Sequence, residues 1–149
     1  VMVTGSHNPG DQNGLKMVVA GTTLTGEEIQ GLRRAVEAGR FEAGAGSRRS
    51  ADVLDAYVAR IAGEIRLARP MRIALDCGNG VAGVVAPRLF RELGCEVTAL
   101  YSEVDGRFPN HHPDPSRLEN LRALIDMVKA GDAELGLAFD GDADRLGVV

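Results

Sequence analysis

The sequence predicts an α/β fold, with a mixed, largely parallel sheet that has helices on both faces and is preceded by a partial second domain. Three short apolar runs are typical of strands: 72–76, 96–100 and 135–139. Two helical patterns lie between them: 81–93 and 118–130. Strands that alternate with helices in this way are usually parallel and joined by right-handed crossovers. Gly94 and Gly131 follow the two helical patterns, where glycine commonly ends a helix.

The first 50 residues show a different pattern, which indicates part of another domain. Two short runs with strand character, 1–4 and 15–20, flank a polar loop rich in glycine and asparagine. The stretch 42–50 is rich in glycine and serine and has no periodicity, so it predicts a linker. We therefore expect a domain boundary near residue 50, with one partial domain over residues 1–50 and a second domain over residues 51–149.

Two further helices are predicted outside the alternating pattern. Thr25 followed by Glu28 is a capping box, and the helix it begins should end at Gly39. A second helix is indicated by apolar residues at spacings of three and four, and it should stop before Pro70. Those apolar residues are Val53, Leu54, Tyr57, Ile61 and Ile65.

The composition is that of a globular protein and excludes several classes. With 17 Lys+Arg and 21 Asp+Glu the net charge is −4, which argues against general binding of nucleic acid. Apolar residues make up 44% of the chain, but no run is long enough to span a membrane and no signal peptide is visible. We expect a cytoplasmic protein without a membrane partner. Cys77 and Cys95 lie within or beside apolar runs without metal-ligand spacing, which predicts free buried thiols.

The loop Thr4-Gly-Ser-His-Asn-Pro9 follows the first predicted strand. It exposes Ser6 beside His7 and Asn8, and Lys16 on the next strand could return to the serine if the loop folds back. An ordinary turn is the alternative, because Gly, Ser, Asn and Pro all favour turns.

The loop Asp140-Gly-Asp-Ala-Asp-Arg145 follows the last predicted strand of the alternating pattern. Its three carboxylates, Asp140, Asp142 and Asp144, alternate with small residues and can converge on one hard cation. A solvated acidic turn is the alternative, but three like charges at one strand end repel each other unless a cation neutralises them. Three ligands leave coordination positions open, which suits Mg²⁺ shared with a phosphate.

A third loop, Gly78 to Gly83, matches the GxGxxG pattern between a strand and a helix. Glu103 and Asp105 lie at about the distance of a ribose-binding acid, so a nucleotide-binding module is the rival hypothesis. Glycine at a tight strand-to-helix turn, however, needs no bound ligand to explain its presence.

The loop 108–115 is rich in proline and carries His111 and His112. Adjacent side chains on an extended chain point in opposite directions, so joint chelation of a metal is disfavoured. We interpret this loop as an ordered segment with a structural role, or one that shapes a substrate cleft.

Together these motifs resemble those of the α-D-phosphohexomutase superfamily, and within it bacterial phosphomannomutase/phosphoglucomutase. The resemblance rests on the Ser6 loop, Lys16 and the loop 140–145, and extends to Asp-Cys-Gly-Asn-Gly-Val-Ala-Gly at 76–83 and Pro-Asn-His-His-Pro-Asp-Pro at 109–115. It implies that residues 1–50 are the end of a first α/β domain and that residues 51–149 are nearly all of a second. Many relatives have glycine where this chain has Ala143, which costs little if φ is negative there and could distort the loop if φ is positive.

The resemblance also implies roles for individual residues. Ser6 would carry a phosphoryl group, Lys16 would act as general acid and base, and His7 and Asn8 would support them. Asp140, Asp142 and Asp144 would hold Mg²⁺ together with a phosphoserine oxygen. Arg145 would contact the phosphate.

The implied reaction is a hexose-phosphate mutase reaction. Phosphate would move between O6 and O1 of mannose or glucose phosphates through phosphoserine and a sugar 1,6-bisphosphate. The chain opens and closes on residues with strand character, Val1 and Val149 among them, so we expect an internal piece of a longer protein that is inactive alone. The sequence does not distinguish mannose from glucose phosphates.

Overall fold

The computed structural model describes residues 1–6, 8–9 and 11–149. The chain divides into two compact units. The first comprises Val1–Thr4 and Gly14–Ala51, and the second comprises Gly5–Asn13 and Asp52–Val149. The Ser6 loop, which the sequence places in the first domain, thus clusters with the second unit. The expected domain boundary near residue 50 stays a prediction.

The first unit contains two small antiparallel hairpins. β1 (Met2–Val3) pairs with β2 (Leu15–Lys16), and β3 (Val18–Val19) pairs with β4 (Thr22–Thr23). The single run predicted over 15–20 was wrong, because the structure has two separate strands there and a turn at its last residue. Ala20 and Gly21 have φ of +49° and +83° and form the two-residue turn between β3 and β4. Positive φ at both central residues matches the twist of hairpin strands.

Helix α1 (Gly26–Glu37) completes the first unit and confirms the predicted capping box. The backbone N–H of Thr25 donates to Glu28 Oε2 at 2.9 Å, which satisfies a donor at the helix start. Gly39 follows the helix with φ of +61°, as expected of a glycine at a helix end. With 12 residues α1 is short, and none of the described helices combines the length and apolarity needed to cross a membrane.

The second unit contains the predicted α/β alternation. Its elements, in chain order, are α2 (Leu54–Glu64), β5 (Arg72–Asp76), α3 (Ala82–Glu92), β6 (Glu96–Leu100), a 3₁₀ turn (Leu118–Leu121), α4 (Arg122–Ala130), β7 (Leu135–Phe139) and β8 (Leu146–Val148). The sheet order is β6-β5-β7-β8, with β5 parallel to β6 and β7, and β8 antiparallel to β7. The predicted mixed, largely parallel sheet is confirmed. The predicted helix 118–130 begins with one turn of 3₁₀ helix instead.

The central strands β5 and β7 are shielded from solvent on both faces of the sheet, since their successive residues point to opposite sides and nearly all are buried or half-buried. Ile73 and Leu75 of β5 pack in one cluster with Ala82 and Ala86 of α3. Ala74, between them, packs in a second cluster, whose other buried members are Leu124 of α4 and Ala138 of β7. Because β5 and β7 are parallel, their carboxyl ends lie at the same edge of the sheet, where the loops carrying polar residues begin.

The three glycines of the loop 78–83 are explained by close protein contacts. A Cβ at Gly78, where φ is +52°, would lie 2.9 Å from Pro113 Cβ. A Cβ at Gly80 would lie 2.8 Å from the carbonyl oxygen of Gly141, and one at Gly83 would lie 2.0 Å from that of Ser102. Packing alone therefore requires small residues here, and the glycines give no support to the nucleotide-binding hypothesis.

Both cysteines are free and buried, as predicted. Burial, together with the negative charge of the neighbouring Asp76 carboxylate, raises the pKa of the Cys77 thiol to about 12. Cys77 therefore stays protonated at neutral pH and acts as a small apolar core residue.

Substitution of Gly83 tests how tightly this loop is packed. We expect Gly83→Ala to lower the free energy of unfolding by about 1–3 kcal/mol, because the backbone at Ser102 must move away from the new methyl group. Gly63→Ala in α2 is the matched control, since a Cβ there meets nothing within 4 Å. The control should be neutral or stabilising by up to about 1 kcal/mol, because alanine favours the helix. Equal effects of the two substitutions in urea unfolding would contradict the packing argument.

Candidate active site

The buried Asp140 carboxylate is the centre of the candidate site. Asp140 directly follows β7 and is 0% exposed. Its Oδ2 accepts hydrogen bonds from Ser6 Oγ at 3.1 Å and from Arg145 Nε at 2.9 Å, and its Oδ1 accepts one from the Arg145 backbone N–H at 3.1 Å. A carboxylate has about four acceptor positions, so these three bonds leave capacity for a cation.

Asp142 and Asp144 complete a cluster of three carboxylates. One carboxylate oxygen from each of Asp140, Asp142 and Asp144 lies within 4.8 Å of the others. Asp142 Oδ1 is shielded from solvent, whereas Asp144 is exposed. A cluster of carboxylate oxygens that is partly shielded and open on one side suits a hard divalent cation such as Mg²⁺. The donor set therefore fits the expected metal.

Arg145 lies beside the carboxylate cluster and places a positive charge there. Its Nε is 3.8 Å from Asp144 Oδ1, and its NH1 is 3.9 Å from Asp114 Oδ1. The hydrogen bond to Asp140 is the main cause that raises the pKa of the Arg145 guanidinium, so the side chain stays charged. With 40% of its side chain exposed, Arg145 can also reach an anion on the open side.

The Ser6 loop has an unusual backbone and approaches the acidic loop closely. Ser6 has φ of +48°, in the left-handed region that non-glycine residues rarely adopt. A Cβ at Gly141 would lie 2.3 Å from the Ser6 carbonyl oxygen, so only glycine allows the two loops to meet. Such strain is costly and is found mainly at functional sites. The structure thus brings together Ser6, Arg145 and the three aspartates that the sequence singled out.

The remaining predicted site residues are Asn8, His7 and Lys16. Asn8 is exposed in the turn, and its backbone N–H donates to the Gly5 carbonyl at 2.8 Å. His7 lies outside the described residues. Lys16 is an exposed residue of β2 in the first unit, where its backbone pairs with that of Met2. Roles for these three residues stay predictions.

Ala143 has φ of +62°, which is the unfavourable case considered from the sequence. Its backbone N–H donates to the Asp140 carbonyl at 3.1 Å, so the strained conformation belongs to the tight turn that gathers the carboxylates. An alanine in this region costs about 1–2 kcal/mol, whereas glycine adopts it freely.

Two polar residues of the glycine-rich loop region were missed by the sequence reasoning. Asp76, the last residue of β5, is 1% exposed and bonds to His111. Asn79 is 5% exposed, receives a hydrogen bond from Asn110 Nδ2 at 2.7 Å and donates one to the Glu103 carbonyl at 2.8 Å. The signal in the sequence was a carboxylate and an amide next to glycines at the end of a buried strand.

The two histidines of the loop 108–115 face different surroundings, as predicted. The His111 side chain is mostly buried, and His112 is exposed and meets the ring of Phe108 edge-on at 6.1 Å between centroids. His112 also lines a surface cleft of about 530 Å³. The other residues that line it are Asp11, Gly106, Arg107 and Phe108. Asp11 follows the Ser6 loop by two residues, so the cleft adjoins that loop, and it has the size of a small-molecule site.

The sequence matches two family models and several curated relatives. Residues 55–149 match the family model of phosphoglucomutase/phosphomannomutase, alpha/beta/alpha domain II, and residues 1–43 match that of domain I. A phosphomannomutase/phosphoglucomutase from Pseudomonas aeruginosa is 58% identical over 149 residues, which is 100% of this chain and 32% of the relative. A phosphoglucomutase from Neisseria gonorrhoeae is 58% identical over 151 residues, covering 100% of this chain and 33% of the relative.

A solved structure supports the same relationship. A phosphoglucomutase/phosphomannomutase family protein from Burkholderia thailandensis superimposes with a TM-score of 0.94 at 57% identity, covering 99% of this chain and 32% of that chain. The chain thus spans about a third of the length of the relatives that it matches.

Replacing Ala143 tests the strain in the acidic loop. We expect Ala143→Gly to raise the free energy of unfolding by about 0.5–1 kcal/mol, because relief of the left-handed strain exceeds the added entropy of the unfolded chain. Ala59→Gly, in the exposed middle of α2, is the control and should lower it by about 1 kcal/mol. Chemical denaturation of the three proteins measures both changes. A destabilising Ala143→Gly would show that this backbone carries no strain.

Proposed function

Because this chain belongs to the phosphoglucomutase/phosphomannomutase family, we propose that it contributes the phosphoryl-transfer centre of a hexose-phosphate mutase. The observation that carries the proposal is the 3.1 Å hydrogen bond from Ser6 Oγ to Asp140 Oδ2. It joins the candidate nucleophile to Asp140, one of the candidate metal ligands, within one unit of the chain. Phosphoryl transfer needs both a positioned acceptor atom and a concentration of positive charge, and this centre offers the residues for each.

Ser6 is the residue that we propose to carry the phosphoryl group. Its hydroxyl is only partly buried, and the hydrogen bond to Asp140 directs it toward the carboxylate cluster. A phosphoryl group on Oγ would add negative charge next to three carboxylates. That charge requires a cation, which gives the aspartate cluster its function in the proposal.

Asp140, Asp142 and Asp144 are the proposed ligands of Mg²⁺, together with an oxygen of the phosphoserine. When bound, the ion supplies positive charge that stabilises the transferring phosphoryl group. Arg145 adds a second positive charge from the protein side, held in place by Asp140 and Asp114. The guanidinium fork is suited to phosphate oxygens, so Arg145 is the proposed phosphate contact.

The proposed reaction moves the phosphoryl group twice. In the first transfer the bond between phosphorus and Ser6 Oγ breaks, and a bond forms to the free hydroxyl oxygen of a hexose monophosphate. That hydroxyl loses its proton, and Ser6 Oγ gains one. The bisphosphate then returns its other phosphoryl group to Ser6, with the proton moving the opposite way. Lys16 is the proposed general acid and base, with His7 and Asn8 as supporting residues.

The substrate class follows from the relatives, whose names cover mannose and glucose phosphates. We therefore propose mannose and glucose 1- and 6-phosphates as substrates, their 1,6-bisphosphates as intermediates and the cytoplasm as location. The cleft beside the Ser6 loop carries Arg107 and His112, which can contact an anionic sugar phosphate.

Mass spectrometry of the full-length protein tests the role of Ser6. We expect the active protein to carry one phosphoryl group that phosphatase removes and that is absent from Ser6→Ala. Turnover of glucose 1-phosphate in a coupled assay should fall by about 10³-fold or more in that variant, because no other group takes over a covalent step.

Ser47→Ala is the matched control, since Ser47 lies in the exposed stretch that connects α1 and α2. It should retain both the phosphoryl group and the turnover of the wild type. A wild-type protein that turns over without any phosphoryl group, or a Ser6→Ala variant with wild-type turnover, would contradict the proposal.

A further inference from the structure

Asp76 and His111 form a buried pair that the proposed chemistry does not use. His111 Nε2 lies 2.9 Å from Asp76 Oδ2, and the other oxygen, Oδ1, accepts the Gly78 backbone N–H at 2.8 Å. His111 Nδ1 lies 2.9 Å from the His112 carbonyl oxygen. The ring of Tyr101 meets the His111 ring edge-on at 5.4 Å between centroids. Every polar atom of the pair thus has a partner from the protein.

The pair fixes one end of a short segment, 111–114, that runs to the candidate active site. Pro113 is fully buried, next to both Gly78 and Gly141. A Cβ at Gly78 would lie 2.9 Å from Pro113 Cβ, and a Cβ at Gly141 would lie 3.5 Å from Pro113 Cγ. A Cβ at Gly141 would also lie 2.3 Å from the Ser6 carbonyl oxygen, so Pro113 packs next to the contact between the two active-site loops.

The other end of the segment reaches the cationic side of the site. Asp114 Oδ1 lies 3.9 Å from Arg145 NH1, and the same oxygen accepts the Ser116 backbone N–H at 3.1 Å. Asn120 Nδ2 donates to the Asp114 carbonyl at 2.9 Å, which holds this end against the 3₁₀ turn. One continuous segment therefore contacts Asp76, Gly141 and Arg145.

We propose that Asp76 and His111 are positioning residues, which hold Pro113 behind Gly141 and so set the placement of Ser6 and the acidic loop. This inference rests on the proposed function, because it assigns a task at the same site. Neither side chain touches the reacting atoms in this arrangement. Packed protein interiors transmit small displacements, and misplacement of reacting groups by about 1 Å can cost about 10²-fold in rate.

The protonation of the pair suggests substitutions that keep its geometry. Both ring nitrogens of His111 face oxygens that accept hydrogen bonds, which favours the imidazolium form, and the hydrogen bond to Asp76 raises the pKa of His111. In Asp76→Asn the amide can still accept from Gly78 and can donate to a neutral His111. In His111→Gln the side-chain amide can still donate to Asp76. Asp76→Ala and His111→Ala remove the link altogether.

The test compares these four variants in the full-length protein. Measurements are kcat and KM for glucose 1-phosphate at saturating Mg²⁺, and the affinity for Mn²⁺ by electron paramagnetic resonance, which needs no turnover. Glu134→Ala is the control, because it removes a carboxylate from Arg69 and the Arg72 backbone at the opposite edge of the same sheet. Thermal unfolding shows that each variant is folded.

We expect both alanine variants to lower kcat and weaken Mn²⁺ binding by about tenfold or more, with KM changed by less than about threefold. The two conservative variants and the control should stay within about threefold of the wild type. Folded alanine variants with wild-type kcat and Mn²⁺ affinity would overturn the proposal. So would a loss in Asp76→Asn as large as in Asp76→Ala, or failure of both alanine variants to fold.

Different results would contradict the proposed function and the positioning role of Asp76 and His111. If the wild type shows no mutase turnover, the proposed function is wrong, and the Mn²⁺ affinities of the variants still test the positioning. If the wild type turns over and the alanine variants match it, the positioning is wrong and the proposed function stands.

Discussion

A buried carboxylate must be met by cations or hydrogen-bond donors, and this requirement at Asp140 organises the candidate site. Arg145 supplies two of the donors and Ser6 supplies the third. To deliver them, the chain after Asp140 turns back within five residues, and the Ser6 loop lies against Gly141. The positive φ values of Ser6 and Ala143 are the local strain that accompanies this close approach.

The parallel sheet makes the arrangement possible. Pairing of Asp76 with Ala138 brings the carboxyl ends of β5 and β7 together, so that Asp76 and the loop beginning at Asp140 leave the sheet at the same edge. Glycines at 78, 80 and 141 then allow the loops to pack backbone against backbone. The His111–Asp114 segment packs against these glycines, with the buried Pro113 next to both Gly78 and Gly141.

Elements with a strong local pattern could be predicted from the sequence, whereas contacts between loops could not. The strands of the α/β unit and the capping box at Thr25 depend on neighbouring residues, and the structure confirms them. The acidic loop also depends on neighbouring residues, and its three carboxylates lie close together, while its metal-binding role stays a prediction. The turn at Ala20 was missed because alanine rarely adopts positive φ. The link between Asp76 and His111 spans 35 residues, and nothing in local spacing indicates which distant loop meets a strand end.

The central claim is that Ser6 and the three aspartates form one phosphate and metal site. Phosphorus NMR of the full-length protein phosphorylated on Ser6, titrated with Mn²⁺, tests it directly, because the paramagnetic ion broadens only nearby nuclei. We predict that one equivalent of Mn²⁺ broadens the phosphoserine signal, and that Asp142→Asn requires about tenfold more metal for the same effect. A signal that stays sharp at saturating Mn²⁺, or one that broadens equally in the variant, would contradict the claim.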